Sequence, residues 1–142
     1  MEAKVTWKGQ LAFEGSASGV LTVPLNSKAV SSGEGNGFSP MELILVGLAS
    51  CTAMDVISIL EKKRQVVTSF ELQAHADRAT EHPRVFTHIV LEYIVTGRQV
   101  ERAAVERAIE LSETKYCPAL AMFSQVVPIE HPITIFEAET QE

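Results

Sequence analysis

The sequence predicts an α+β fold with the element order βββ-α-ββ-α-α-β. Two observations set that class. The β-patterned runs fall in two groups, one before residue 39 and one between residues 66 and 96, and helical patterning follows each group. Between the groups lies an apolar run of helical length. The regular strand-helix alternation of a doubly wound parallel sheet is absent, and no internal repeat appears.

Residues 4–8, 11–14 and 20–25 read as short strands, separated by Gly9-Gln10 and by the Gly15-Ser16-Ala17-Ser18-Gly19 stretch, which predicts an antiparallel meander. Ser31 to Gly37, with three glycines, predicts a flexible loop. Ser39-Pro40-Met41-Glu42 is a helix start: Ser39 caps, Pro40 suits the first helical position, and Glu42 falls where a capping box needs its acid. The helix should run from residue 40 to about residue 63, where Lys62-Lys63-Arg64 suits the negative pole of the dipole. Its length invites a membrane reading, but Asp55 and several hydroxyls argue against one. A helix apolar nearly all round implies burial on several sides.

Two longer β-patterned runs, 66–76 and 85–96, are joined by a turn at 79–84. In the second run Ile89, Leu91, Tyr93 and Val95 share an apolar face. Residues 99–115 repeat Val100, Ala104, Ala108 and Leu111 at helical spacing, which predicts an amphipathic helix. Cys117-Pro118 breaks the chain and starts a short helix to about residue 124, and residues 132–137 close it as a last strand.

A chain of 142 residues fits a single domain over 1–142 with a substantial core. A net charge of −6 without a basic patch argues against nucleic-acid partners. The N-terminus carries no secretory pattern, so the expected compartment is the cytoplasm, where two cysteines are inert core thiols, metal ligands or redox groups rather than a permanent disulfide. Neither Cys51 nor Cys117 belongs to a Cys-x-x-Cys or Cys-x-x-His unit, and His75, His82, His88 and His131 are scattered, so no metal is expected.

Read locally, Cys51 sits mid-helix among apolar residues and reads as a core thiol, with Asp55 one turn away discouraging a second negative charge. Cys117 precedes a helix start, where the dipole favours thiolate, and Lys115 is close in sequence; local chemistry therefore makes Cys117 the better nucleophile. His75-Ala76-Asp77 suggests a base and its orienter, or a coincidence of strand alternation. The glycine-rich segment before residue 39 lacks the spacing of a phosphate loop, and Glu34 would repel phosphate.

Four motifs in order carry a resemblance: Phe38-Ser39-Pro40-Met41-Glu42-Leu43; Ser50-Cys51-Thr52; His82-Pro83-Arg84-Val85-Phe86 with a strand ending at Gly97; and Lys115-Tyr116-Cys117-Pro118. Across nearly the whole chain the sequence resembles the OsmC/Ohr family, nearest to its YhfA-like branch. The resemblance implies an intertwined homodimer with two long central helices packed with antiparallel sheets. It also implies that Cys51 is the peroxidatic cysteine and Cys117 the resolving one, which reverses the local ranking. The implied chemistry is reduction of organic hydroperoxides or related electrophiles in the oxidative stress response, with a dithiol reductant reopening the disulfide and no cofactor.

The sequence departs from the family's peroxidases at two points. Their thiolate is stabilised by an arginine from the N-terminal part of the chain; here only Lys4, Lys8 and Lys28 precede the helix, and the first arginine is Arg64. Aligned on Pro40 and Cys51, their acidic partner falls at Met41, with Glu42 one place later. These departures keep a second expectation open: a non-catalytic dimeric protein that binds a small apolar ligand between its helices. Phe38, Met41, Glu42 and Leu48 are the candidate pocket residues in either case.

Overall fold

The computed structural model describes residues 1–27 and 37–140. The chain forms two compact units, Met1–Leu45 and Val46–Glu142. The glycine-rich segment and Lys28 lie outside the described residues, apart from Gly37.

In the first unit β1 (Lys4–Gly9), β2 (Ala12–Ser16) and β3 (Thr22–Leu25) form the expected antiparallel meander. Gly9 (φ 108°) and Gln10 (φ 49°) turn the chain between β1 and β2 through left-handed backbone, which glycine adopts without penalty. The register Trp7↔Phe13↔Leu25 and Val5↔Gly15↔Val23 collects the apolar residues on one face and leaves Thr6, Glu14 and Pro24 on the other. Phe38 bridges back to Leu25, its N–H donating to Pro24 O at 3.0 Å and its carbonyl accepting from Asn26 N at 2.9 Å. The helix α1 (Pro40–Lys62) then starts on the predicted capping box: Ser39 N–H donates to Glu42 Oε1 and Glu42 N–H to Ser39 Oγ, each at 3.2 Å.

The second unit is built on a long hairpin, β4 (Val66–Arg78) with β5 (Phe86–Arg98). The predicted apolar face of β5 is buried: Ile89, Leu91, Tyr93 and Val95 are inaccessible to solvent. They pair with Ala76, Ala74, Leu72 and Phe70 of β4. α2 (Arg102–Leu111) runs into a π-helical turn at Ser112–Tyr116, followed by α3 (Pro118–Phe123). The chain ends in β6 (Ile129–Glu130) and β7 (Ile133–Glu137), both parallel to β5.

The sequence-based order therefore holds with two corrections. The π turn interrupts what was expected to be one helix to residue 115. The expected last strand at 132–137 is β7, and an unexpected two-residue β6 precedes it, set apart by His131 and by Pro132, which has no N–H to give to the ladder.

The hairpin depends on one close approach. A Cβ at Gly97 would run into the carbonyl oxygen of Val66 and come within 2.6 Å of Val100 Cγ2. Gly97→Ala is expected to destabilise the protein by about 1–3 kcal/mol, the cost of overpacking a site that cannot relax freely. Urea unfolding checks this, and an unchanged midpoint would contradict it.

Candidate functional site

Along α1 the buried positions are Leu48, Thr52, Val56 and Leu60, a stripe with a spacing of four that turns one face of the helix inward. Cys51 precedes Thr52, rotated about 100° off that stripe, and is half-buried. Cys117 caps the N-terminus of α3 and is only 2% exposed. The two thiols, 66 residues apart in sequence, meet with their sulfurs 3.0 Å apart and are not bonded.

The π turn puts Cys117 there. Its N–H donates to Ser112 O at 2.8 Å, a bond from residue i+5 to residue i in place of the α-helical i+4. Cys117 Sγ accepts from Leu120 N–H at 3.3 Å and donates its own proton to Cys51 Sγ. Burial above all, and then the hydrogen bond to Cys51, push the Cys117 thiol up to about 11, against a lowering by the Leu120 N–H. The local expectation that Cys117 would be the readier thiolate is thereby overturned: desolvation outweighs the helix start, and α3 has only six residues. Lys115 stands over the Tyr116 ring, its Nζ 5.2 Å from the centroid.

Beside the sulfurs runs a buried chain of hydroxyls. Ser112 Oγ donates to Asp55 Oδ2 at 3.0 Å, and it therefore accepts the Thr52 hydroxyl proton across 2.8 Å. Thr52, having donated, accepts from the Tyr93 hydroxyl at 2.9 Å, which in turn accepts from His131 Nδ1 at 3.1 Å. Every hydroxyl thus points its proton toward the Asp55 carboxylate, and the His131 tautomer is fixed with its proton on Nδ1.

The other ring nitrogen, Nε2, is buried with no hydrogen-bond partner and stands 3.8 Å from Glu113 Oε2. Burial lowers the His131 pKa, opposed by the charge of Glu113. Burial likewise pushes the Tyr93 phenol up to about 12, and the negative charges of Glu113 and Asp55 add to it.

A cleft of about 230 Å³, lined by Glu113, Tyr116, Cys117 and Pro118, opens beside the buried thiol. In the first unit a larger and almost wholly apolar pocket of about 610 Å³ lies between the sheet and the start of α1, walled by Val5, Leu11, Phe13, Leu25, Leu43 and Ile44.

The structure thus brings together Cys51 and Cys117 but places the other candidates differently. Phe38, Met41 and Glu42 belong to the first unit and do not line its pocket; Glu42 holds the capping box, and Leu48 is 1% exposed in the second unit's core. His75 and Asp77 share a face of β4 and are bonded at 2.9 Å, with His88 and Glu130 alongside, but they form an exposed ladder on the sheet. Among the described residues no group of three or more His, Cys, Asp or Glu side chains has the arrangement to hold a metal ion.

The sequence reading met Thr52 in a motif, Tyr93 on the apolar face of β5 and His131 among the scattered histidines, but assigned none of them, nor Ser112 or Glu113, to the site. A signal existed for the hydroxyls. Thr52 sits on the apolar stripe of α1, Ser112 continues the Ala104, Ala108 stripe of α2, and Tyr93 lies on the apolar face of β5, all positions where a polar group needs a partner.

A thiol pair joining a long apolar helix to the start of a short one, over a hairpin-based sheet, defines the class. The family model described as OsmC-like protein matches residues 33–131, and the chain belongs to that family. Among curated relatives it is 40% identical over 138 residues to protein YhfA of Escherichia coli K12, covering 97% of this chain and all of YhfA. Among solved structures, a hypothetical protein from Aquifex aeolicus VF5 superposes with a TM-score of 0.85 at 30% identity, covering 97% of both chains. The organic hydroperoxide resistance protein OhrB of Bacillus subtilis shares the fold, with a TM-score of 0.65 at 17% identity over 94% of this chain and 98% of that one.

Proposed function

We propose that the chain acts as a single domain in a cytoplasmic homodimer that reduces organic hydroperoxides or related electrophiles, in a redox or stress role, through Cys51 and Cys117. The observation that carries this reading is the 3.0 Å approach of two free sulfurs from distant parts of the chain. A disulfide needs about 2.05 Å, so closure requires a shift of only about 1 Å.

The direction of the thiol–thiol hydrogen bond supports one order of roles. Cys117 keeps its proton and aims it at Cys51 Sγ, so Cys51 offers the free electron pair and attacks. The peroxide O–O bond breaks, its terminal OH stays on sulfur as the Cys51 sulfenic acid, and the Cys51 thiol proton passes to the departing alkoxide to complete the alcohol. Cys117 then displaces hydroxide from that sulfur, its thiol proton completing the water. A dithiol reductant returns both thiols.

The homodimer is supported by α1, which buries one stripe and leaves Ile44, Val46 and Met54 exposed, Met54 by 69%. By length and composition α1 could also cross a bilayer, but it carries Asp55 in a hydrogen-bonded network, which fits a core helix better. The purified protein should consume cumene hydroperoxide in the presence of dithiothreitol. Consumption no faster than that of the Cys51→Ser/Cys117→Ser double variant would overturn the reading.

One observation favours a variant of the second reading, with a small apolar ligand held between sheet and helix rather than between helices: the 610 Å³ apolar pocket of the first unit. Native mass spectrometry of gently purified protein should then find an apolar adduct that Leu43→Trp removes. An adduct-free spectrum would count against it.

A further inference from the structure

Ser112 is attached twice. Its carbonyl holds the Cys117 N–H at 2.8 Å, and its hydroxyl lies between Thr52 at 2.8 Å and Asp55 at 3.0 Å, both on the helix that carries Cys51. We propose that Thr52, Ser112 and Asp55 are positioning residues, a clamp that fixes the Cys117 segment to α1 so that the two sulfurs are held for disulfide closure. The inference rests on the redox reading above.

Three features support the clamp. Thr52 and Ser112 are fully buried, and plain packing at these positions would be served by valine and alanine without the cost of desolvating two hydroxyls. The cost is offset only because each hydroxyl both donates and accepts, in a chain whose direction the Asp55 carboxylate sets. The π turn begins at Ser112 itself, and its extra residue carries Cys117 about 100° further round than an α-helical turn would. The clamp touches none of the reacting atoms. It acts by keeping the thiols at a high effective concentration toward each other.

The readout is the thiol–disulfide equilibrium. Protein disulfide plus dithiothreitol gives the protein dithiol plus the cyclic disulfide of the reagent, so the ratio measured across a series of redox buffers yields the closure constant directly. Thr52→Val keeps the shape and removes the hydroxyl; Thr52→Ser keeps the hydroxyl. The closure constant of Thr52→Val should fall about tenfold or more, while Thr52→Ser should stay within about threefold of the wild type. A merely structural role would lower the melting temperature of Thr52→Val and leave the constant of its folded protein unchanged.

An unchanged constant in folded Thr52→Val overturns the clamp. Should that variant not fold, Asp55→Asn serves at a half-buried site: it keeps the acceptor oxygen but removes the charge that orients the chain, and its constant should fall about threefold. A wild-type constant there overturns the clamp in turn. A wild-type protein that forms no disulfide in any buffer overturns the redox reading itself, and the clamp with it.

Discussion

Cys51→Ser is expected to lower hydroperoxide consumption at least about 1,000-fold, while Cys117→Ser should retain the first turnover and then stop. The asymmetry follows from the proton. Cys117 is buried, holds its proton until about 11, and donates it to Cys51 Sγ, so it is poorly suited to attack first, and its proton is the one the departing hydroxide takes up in the second step. Without Cys117 the oxidised Cys51 has no partner among the described cysteines and should persist as a sulfenic acid that dimedone traps. Without Cys51 there is no first step. Peroxide assays under single and multiple turnover separate the two, and equal losses in both variants would contradict the assigned order.

Tyr93→Phe is expected to cost about 1–3 kcal/mol at pH 7, because Thr52 loses its donor and the His131 Nδ1–H its acceptor inside the core. The same substitution should abolish part of the alkaline instability. The phenol ionises near 10 when exposed and near about 12 in the fold. Below pH 10 it is neutral in both states and contributes nothing that varies with pH. Between 10 and 12 the unfolded chain releases its proton first, so wild-type stability falls across that window by about 2–3 kcal/mol.

Cys117 acts in the same direction between 9 and about 11, but it does so equally in both proteins. The wild-type advantage over Tyr93→Phe should therefore shrink from pH 7 to pH 11.5. A difference that stays constant across that range would contradict the burial of an un-ionised phenol.

Period and punctuation carried most of the fold in the sequence. The alternation of Ile89, Leu91, Tyr93 and Val95 and the box formed by Ser39 and Glu42 are local signals, and both are realised. The π turn was not legible, because the apolar spacing of α2 continues smoothly to Ser112 and only the distant Thr52 and Asp55 give Ser112 its partners. The split between β6 and β7 was half-legible in Pro132, but the burial of His131 depends on the Tyr93 ring, whose centroid lies 5.8 Å away.

The cysteines illustrate the limit most sharply. Local chemistry ranked Cys117 above Cys51, since a helix start is visible in sequence and burial is not. Family resemblance implies the opposite order, and what the sequence could not show is that burial raises the Cys117 thiol despite its helix start.

The most direct test is a thiol titration of the purified protein after one equivalent of cumene hydroperoxide. The account predicts that the free thiols fall from two to none, with the chain migrating as a single species on a non-reducing gel and recovering both thiols on reduction. Two free thiols after an excess of hydroperoxide, or an over-oxidised Cys51 beside a free Cys117, would contradict it.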